Sequence, residues 1–322
     1  MKKSVLLMIV TSVIFGATFI HTEIVQAVKT NFSVSAIIPD NQIDKSKTYF
    51  DLRVEPGQVQ VLEVLLSNGR DDPLTVETSA RTATTNNKGL VDYDNTAIKK
   101  DETLRYPFSE MAELPKEVTI PARQSKTLKV KVTTPSKPFS GVILGGIHIS
   151  EKDTQIKRDY IVGVIISENS AEVKADMKLN GIKLAQDNHR NVLKVNLQNP
   201  KPMILPNLAV DAHVYREGSE KLLYETKEYG LRMAPNSNFD FSINWNNQRF
   251  QPGKYRLKMV MASDNRSWKW EEPFEITSEV ATKLNDTATL TESNDTIWYI
   301  IGVSVVILLG IVYVWRRHSR ED

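Results

Sequence analysis

The sequence predicts an all-β chain: two tandem antiparallel β-sandwich domains between an N-terminal signal peptide and one C-terminal transmembrane helix. Three observations predict it. Apolar residues recur at every second position through most of the chain, turn-forming residues interrupt those runs at short intervals, and each end carries an apolar segment flanked by positive charge.

The alternation is clearest in three runs. Leu128, Val130 and Val132 share one face and Lys129 and Lys131 the other; Phe239, Phe241, Ile243 and Trp245 alternate with Asp240, Ser242 and Asn244; Tyr255, Leu257, Met259 and Met261 alternate with Lys254, Arg256 and Lys258. Side chains on a strand point to opposite faces in turn, so this is the signature of half-buried antiparallel strands. Val59 and Val61, followed by Leu62, Val64 and Leu66, change parity mid-run and predict a β-bulge. Turns fall at Glu55-Pro56-Gly57, Ser67-Asn68-Gly69, Asn87-Lys88-Gly89, Pro121 and Gln251-Pro252-Gly253, a spacing that suits immunoglobulin-like sandwiches. Residues 98–113 have weak helical character and read as a short helix or lid.

At the N-terminus, Lys2 and Lys3 precede an apolar run from Val5 to Ile20, and Val25-Gln26-Ala27 offers small residues for cleavage after Ala27. An uncleaved signal anchor is the alternative, disfavoured by the shortness of the apolar run. At the C-terminus, residues 297–315 carry no charge; helical, they would extend roughly 28 Å, about the thickness of a bilayer core. Trp298, Tyr299, Tyr313 and Trp315 sit at the two boundaries, and Arg316, Arg317 and Arg320 place the C-terminus in the cytoplasm. The expected order is signal peptide 1–27, first sandwich 28–152, second sandwich 153–277, a stalk at 278–296, the span at 297–315 and a cytoplasmic tail at 316–322.

Of the 322 residues, 41% are apolar and 25% charged, enough apolar material to bury two cores. There is no cysteine, which excludes disulfides, thiol nucleophiles and thiolate metal sites. Setting aside Lys2, Lys3 and Glu23 at one end and Arg316, Arg317, Arg320, Glu321 and Asp322 at the other leaves 36 basic and 36 acidic residues, a neutral ectodomain without bias towards nucleic acid. Its histidines, His148, His189 and His213, lack ligand spacing, and no HExxH, GxSxG, P-loop or Ser-x-x-Lys motif is present. Asp92-Tyr93-Asp94 opens like a calcium loop, but Ala97 stands where its glycine belongs and Thr103 where its final acid belongs. The chain is therefore expected to be non-enzymatic, with no metal and no cofactor.

Three groups of residues are candidates for binding. Asn86, Asn87, Asp92, Tyr93 and Asp94 bring amides, carboxylates and an aromatic ring to one loop, the residue types that hold a glycan; an ordinary solvated loop has the same composition. Gly141, Gly145 and Gly146 interrupt an apolar strand, either opening a groove for a glycan or a partner backbone or marking a sheet corner or bulge. Trp268 and Trp270 share a strand face and could anchor a protein partner, although their parity with Phe274 and Ile276 assigns them to the core.

Several ordered segments carry a family resemblance. In the first half they are Phe32-Ser33-Val34-Ser35, Pro39-Asp40-Asn41-Gln42, the run from Tyr49 through Pro56-Gly57-Gln58, and the run from Phe139 through Gly145-Gly146-Ile147. In the second half they are Asn199-Pro200, Pro206-Asn207, Met233-Ala234-Pro235-Asn236-Ser237, Pro252-Gly253-Lys254-Tyr255 and the strand from Trp268 to Ile276. This set resembles the WxL-interacting proteins of Gram-positive bacteria, with a peptidoglycan-binding domain followed by a host-binding domain. The resemblance implies a single-pass cell-surface adaptor or adhesin. Its partners would be WxL-domain surface proteins, peptidoglycan, and host extracellular-matrix or plasma proteins. A membrane-tethered assembly chaperone without glycan or host affinity, and a wall-modifying enzyme, are the alternative readings.

Overall fold

The computed structural model describes residues 31–94, 100–152, 158–264, 266–289 and 303–310. The first sandwich packs the sheet β1 (Phe32–Ile37), β3 (Val59–Asn68), β9 (Ser125–Thr133) and β7 (Ala112–Glu113), in the order β1-β3-β9-β7, on a second sheet. That second sheet contains β2 (Phe50–Arg53), β4 (Leu74–Thr82), β8 (Glu117–Ile120), β10 (Ile143–Glu151) and β11 (Asp159–Ser167), in the order β2-β11-β10-β4-β8. Phe32, Phe50, Leu62, Val64, Leu66, Val130, Ile147 and Val164 are buried between the sheets. Of the helix or lid expected at 98–113, the described part forms one turn, α1 (Phe108–Met111), with Phe108 fully buried.

The strands of the second sandwich are β12 (Lys178–Asp187), β13 (Arg190–Asn199), β14 (Leu205–Arg216), β15 (Leu222–Met233), β16 (Ser237–Asn244), β17 (Gly253–Ser263) and β18 (Arg266–Ile276). The sheet β12-β13-β16 packs on the sheet β15-β14-β17-β18. Trp245 is the largest buried side chain between them, stacked on Tyr224 at 3.9 Å between ring centroids and edged by Phe250 and Tyr255. The alternating runs fold as the pattern requires: Leu128, Val130, Val132, Phe239, Phe241, Ile243, Leu257, Met259 and Met261 all point inward.

Four expectations need correction. No bulge interrupts β3, whose pairing with β9 runs without a shift from Val59 to Ser67; Val59 and Val61 are simply exposed on the outer face. The pairing is not wholly antiparallel, because β2 runs parallel to β11. The sheet of the first sandwich also extends past the division expected at 152/153, since β11 hydrogen-bonds to both β10 and β2 and buries Val162, Val164 and Ile166 in the first core. Finally, the stalk expected at 278–296 begins as helix α2 (Ser278–Asn285). Thr277 caps it, Ala281 packs on the second core, and the buried Asn285 exchanges hydrogen bonds with Asn191 and both backbone groups of Phe250.

The signal peptide 1–27 and the tail 316–322 lie outside the described residues. Of the span at 297–315 only 303–310 is described, as an exposed helical segment, and no described helix is long and apolar enough to cross a membrane.

The two adjacent glycines of β10 face opposite sides of their sheet. A Cβ on Gly145 would fall on the Phe108 ring, on the core side. Gly145→Ala is expected to cost roughly 1–3 kcal/mol through overpacking, whereas Gly181→Ala, where no atom lies within 4 Å, changes stability little. Urea denaturation of both variants checks this; equal midpoints would refute the seating of Phe108.

Candidate functional site

Strand β10 is buried along its whole length, which a single hydrophobic face cannot produce. Its inner face fills the core through Ile143, Ile147 and Ile149; its outer face is covered by the hairpin of β5 (Thr84–Thr85) and β6 (Val91–Asp92) and by the second sandwich. Gly146 pairs with Gly163 on β11, and together they leave a patch bare of side chains. Ile161 and the Tyr93 ring cover it: a Cβ on Gly146 would be 2.8 Å from Ile161 and 3.0 Å from that ring, and one on Gly163 would be 4.0 Å from the Tyr93 hydroxyl and 3.8 Å from Tyr49. Burial raises the Tyr93 pKa, with Arg232 of the second sandwich opposing the rise.

The hairpin fastens the two sandwiches together. The buried Thr85 hydroxyl meets Ser237 Oγ at 2.6 Å and accepts from the Ala234 amide at 2.9 Å. The Arg232 amide donates to the Gly89 carbonyl at 2.7 Å, the Asp240 amide donates to Asn87 Oδ1 at 3.3 Å, and Ala83, Leu144 and Ala234 form a small apolar cluster beneath.

Asp101, 6% exposed, is the anionic centre of the junction. Gln198 Nε2 donates to both its oxygens at 3.0 Å, Asn238 Nδ2 donates at 2.6 Å, and Thr103 donates through its amide and hydroxyl. Burial pushes the carboxyl pKa up, but the hydrogen bonds from Thr103, Asn238 and Gln198 outweigh it and hold the group below its ordinary value. Gly141 belongs to the same seam. At φ +83° it takes a left-handed conformation, and a Cβ there would fall on the Pro202 carbonyl, which accepts from the Val142 amide at 2.8 Å.

Two concavities flank this seam. One, about 690 Å³, is lined by Tyr106, Phe139, Pro200, Pro202, Glu102 and Arg105 among others. The larger, about 1050 Å³, runs between β1, the 45–49 loop and β11, and includes Tyr49, Tyr93, Lys45, Lys47, Ile161 and Arg232.

The sequence candidates divide accordingly. Asn86 organises the hairpin turn, its Oδ1 accepting from the amides of Lys88 and Leu90, while Asn87 crosses to the second sandwich. Asp92 accepts from the Asp94 amide, and Asp94 pairs with Arg81 and lies 3.6 Å from His148. Buried His148 also lies 3.3 Å from Asp159; burial, assisted by Arg81, lowers its pKa against the pull of both carboxylates.

Gly145 and Gly146 mark no bulge, because the pairing of β10 is regular, and Gly141 precedes that strand in a left-handed turn. The space of the side chains missing at Gly141, Gly145 and Gly146 is taken by Pro202, by Phe108, and by Ile161 with Tyr93. Trp268 and Trp270 are half-buried against the second core from edge strand β18. Of the basic residues that alternate along β17, Arg256 pairs with Glu220 and Glu271, and Lys258 lies 3.5 Å from Glu220.

Tyr49, Asp101, Arg232, Thr85 and Ser237 are not binding candidates by sequence; isolated, they carry no chemical motif. One further group brings ligand atoms close: Asp211, His213 and Glu225, within 4.8 Å of one another across β14 and β15. Lys227 Nζ, 2.6 Å from Glu225, already supplies a cation there.

Together these features define a tandem β-sandwich with a buried polar seam and grooves on either side of it. Residues 32–151 match the family model "WxL Interacting Protein, peptidoglycan binding domain" and residues 151–286 match "WxL Interacting Protein, host binding domain". The chain belongs to the WxL-interacting protein family. No curated protein matches it. Among solved structures it is similar to the YadV chaperone (13% identity, TM-score 0.26, over 76% of this chain and 100% of that one). It is likewise similar to the CupB2 chaperone of Pseudomonas aeruginosa (11%, TM-score 0.29, 68% and 92%) and the E. coli chaperone DraB (13%, TM-score 0.28, 76% and 95%). Likenesses this distant carry no functional weight.

Asp101→Asn puts an amide donor among donors and is expected to lower stability by roughly 2–4 kcal/mol at neutral pH. The lowered Asp101 pKa adds a pH dependence of definite sign. Its contribution is complete above the unfolded value of 3.8 and is lost as pH falls through the lower folded value, so the gap between wild type and variant should close only below 3.8. Denaturation midpoints across that range check this; a gap that is absent or insensitive to pH would remove Asp101 from the centre of the junction.

Proposed function

We propose that the chain is an exported, membrane-anchored adaptor of the cell surface that holds WxL-domain proteins at the wall. Its first sandwich contacts peptidoglycan and its second contacts host proteins or the WxL partner. The observation that carries this reading is the pair of family models, which follow one another without a gap from residue 32 to residue 286 and take in both sandwiches in order. The geometry supports it: the seam fixes one sandwich against the other, so a wall contact on the first sets where the second presents its surface. Export and anchoring rest on the positive and apolar start of the sequence and on the uncharged stretch at 297–315 followed by arginines. The binding role needs no cofactor.

Two measurements test the proposal. The full chain, purified in mild detergent, should co-sediment with insoluble peptidoglycan at physiological salt; a chain that stays in the supernatant ends the direct peptidoglycan contact. N-terminal sequencing of the protein recovered from membranes should begin at Val28, and an intact Met1 would instead indicate an uncleaved anchor.

A further inference from the structure

Resting on the wall-binding reading above, we infer that the larger groove, shared by the two sandwiches, is the wall contact and that it takes an anionic glycan. Three features of the groove lead to this ligand. Its volume of about 1050 Å³ lies just above the range of small-ligand sites and opens along β1 and β11, so it can hold part of a polymer without enclosing the chain. Its floor includes Tyr93, laid across the bare Gly146–Gly163 pair, with Tyr49 beside it. A ring supported by flat backbone offers a face for the C–H surface of a sugar, and the hydroxyls of Ser35, Ser46 and Thr48 stand along the same groove.

Charge sets the sign of the ligand. Lys45, Lys47 and Arg232 line the groove, and among the described residues no aspartate or glutamate does, although the ectodomain as a whole is neutral. Lys47 makes a long, exposed pair with Asp44 at 3.8 Å and also acts on Asp51, while among the described residues neither Lys45 nor Arg232 forms an ion pair. The smaller cleft is different, with Glu102 and Arg105 both in its lining. Three cations line the groove against one paired carboxylate, that of Asp44 beside Lys47, and the excess positive charge attracts an anion, through phosphate or carboxylate groups on a sugar polymer.

Arg232 comes from β15, and its position depends on the backbone hydrogen bond to Gly89 in the hairpin of the first sandwich. The groove is therefore composite, complete only when the seam is closed. Two wall components share the required chemistry: peptidoglycan bearing the free carboxylates of its peptide stems, and phosphodiester polymers attached to it.

The test uses full-length wild type, Arg232→Gln, and the triple variant Lys45→Gln/Lys47→Gln/Arg232→Gln. Each is sedimented with intact Gram-positive walls and with walls acid-extracted to remove phosphodiester polymers. All three side chains are exposed, so thermal melting should be unchanged and loss of binding cannot be attributed to unfolding. The triple variant should bind roughly tenfold or more weakly than wild type, with Arg232→Gln between them. Wild-type retention should fall as salt rises from about 0.15 M to about 1 M, which shortens the reach of exposed charge. Retention by extracted walls identifies stem carboxylates as the anion, and retention by intact walls alone identifies the phosphodiester polymer; either supports the proposal. Wild-type binding that the triple variant matches overturns the groove while leaving the wall-binding role in place. No binding by wild type to either material overturns both.

Discussion

Removing a carboxylate from water costs several kcal/mol unless the protein returns the lost hydrogen bonds. At Asp101 the donors come from both sandwiches: Thr103 from its own segment, Gln198 and Asn238 from strands β13 and β16. Neither sandwich alone can satisfy the group, so its burial and the docking of the two halves are one event. The hairpin that carries Thr85 and Asn87 follows the same logic, because its hydroxyl and amide find their partners in the second sandwich. Both grooves take residues from this junction. The smaller lies between the two sandwiches, and the larger lies on the first, where the junction adds Arg232 to its wall.

The same seam explains the glycines. A β-strand buried on both faces needs residues that admit neighbours from both directions, and β10 meets this with Gly145 for Phe108 on one side and Gly146 for Ile161 and Tyr93 on the other. The Phe108 ring completes the first core, and the Tyr93 ring becomes the floor of the larger groove. A structural need and a surface for binding thus arise from adjacent residues that differ only in which way they point.

Period-two alternation identified the β-sandwiches because it reports burial directly, and Leu128 to Val132 or Phe239 to Trp245 read the same in sequence and in structure. It misled at Val59 and Val61, where exposed valines on a regular strand imitate a change of parity. The assignment of β11 to the first sandwich was illegible for a different reason: its alternation says that it is a strand, but nothing in it names β2 as a partner. The junction was the least legible part. Asp101, Thr85 and Arg232 are ordinary polar residues in the sequence, and they acquire a role only when residues far along the chain are brought to them. Tyr93 and Gly146 were visible as candidates singly; that one seats the other depends on the register of Gly146 with Gly163.

The parallel pairing of β2 with β11 bears on how the molecule is made. Phe50 must wait for Val164, so the sheet containing it cannot close until most of the first half has emerged, and the hairpin at Thr85 waits longer still, for Ser237. Contacts between such distant residues slow folding, since the entropy of closing the loop is lost before the contact repays it. With no cysteine to trap a partial structure, an incomplete chain exposes open strand edges throughout that interval. The hazard for this protein is therefore greatest during its synthesis and emergence, when edges that are later covered remain available to pair with other chains.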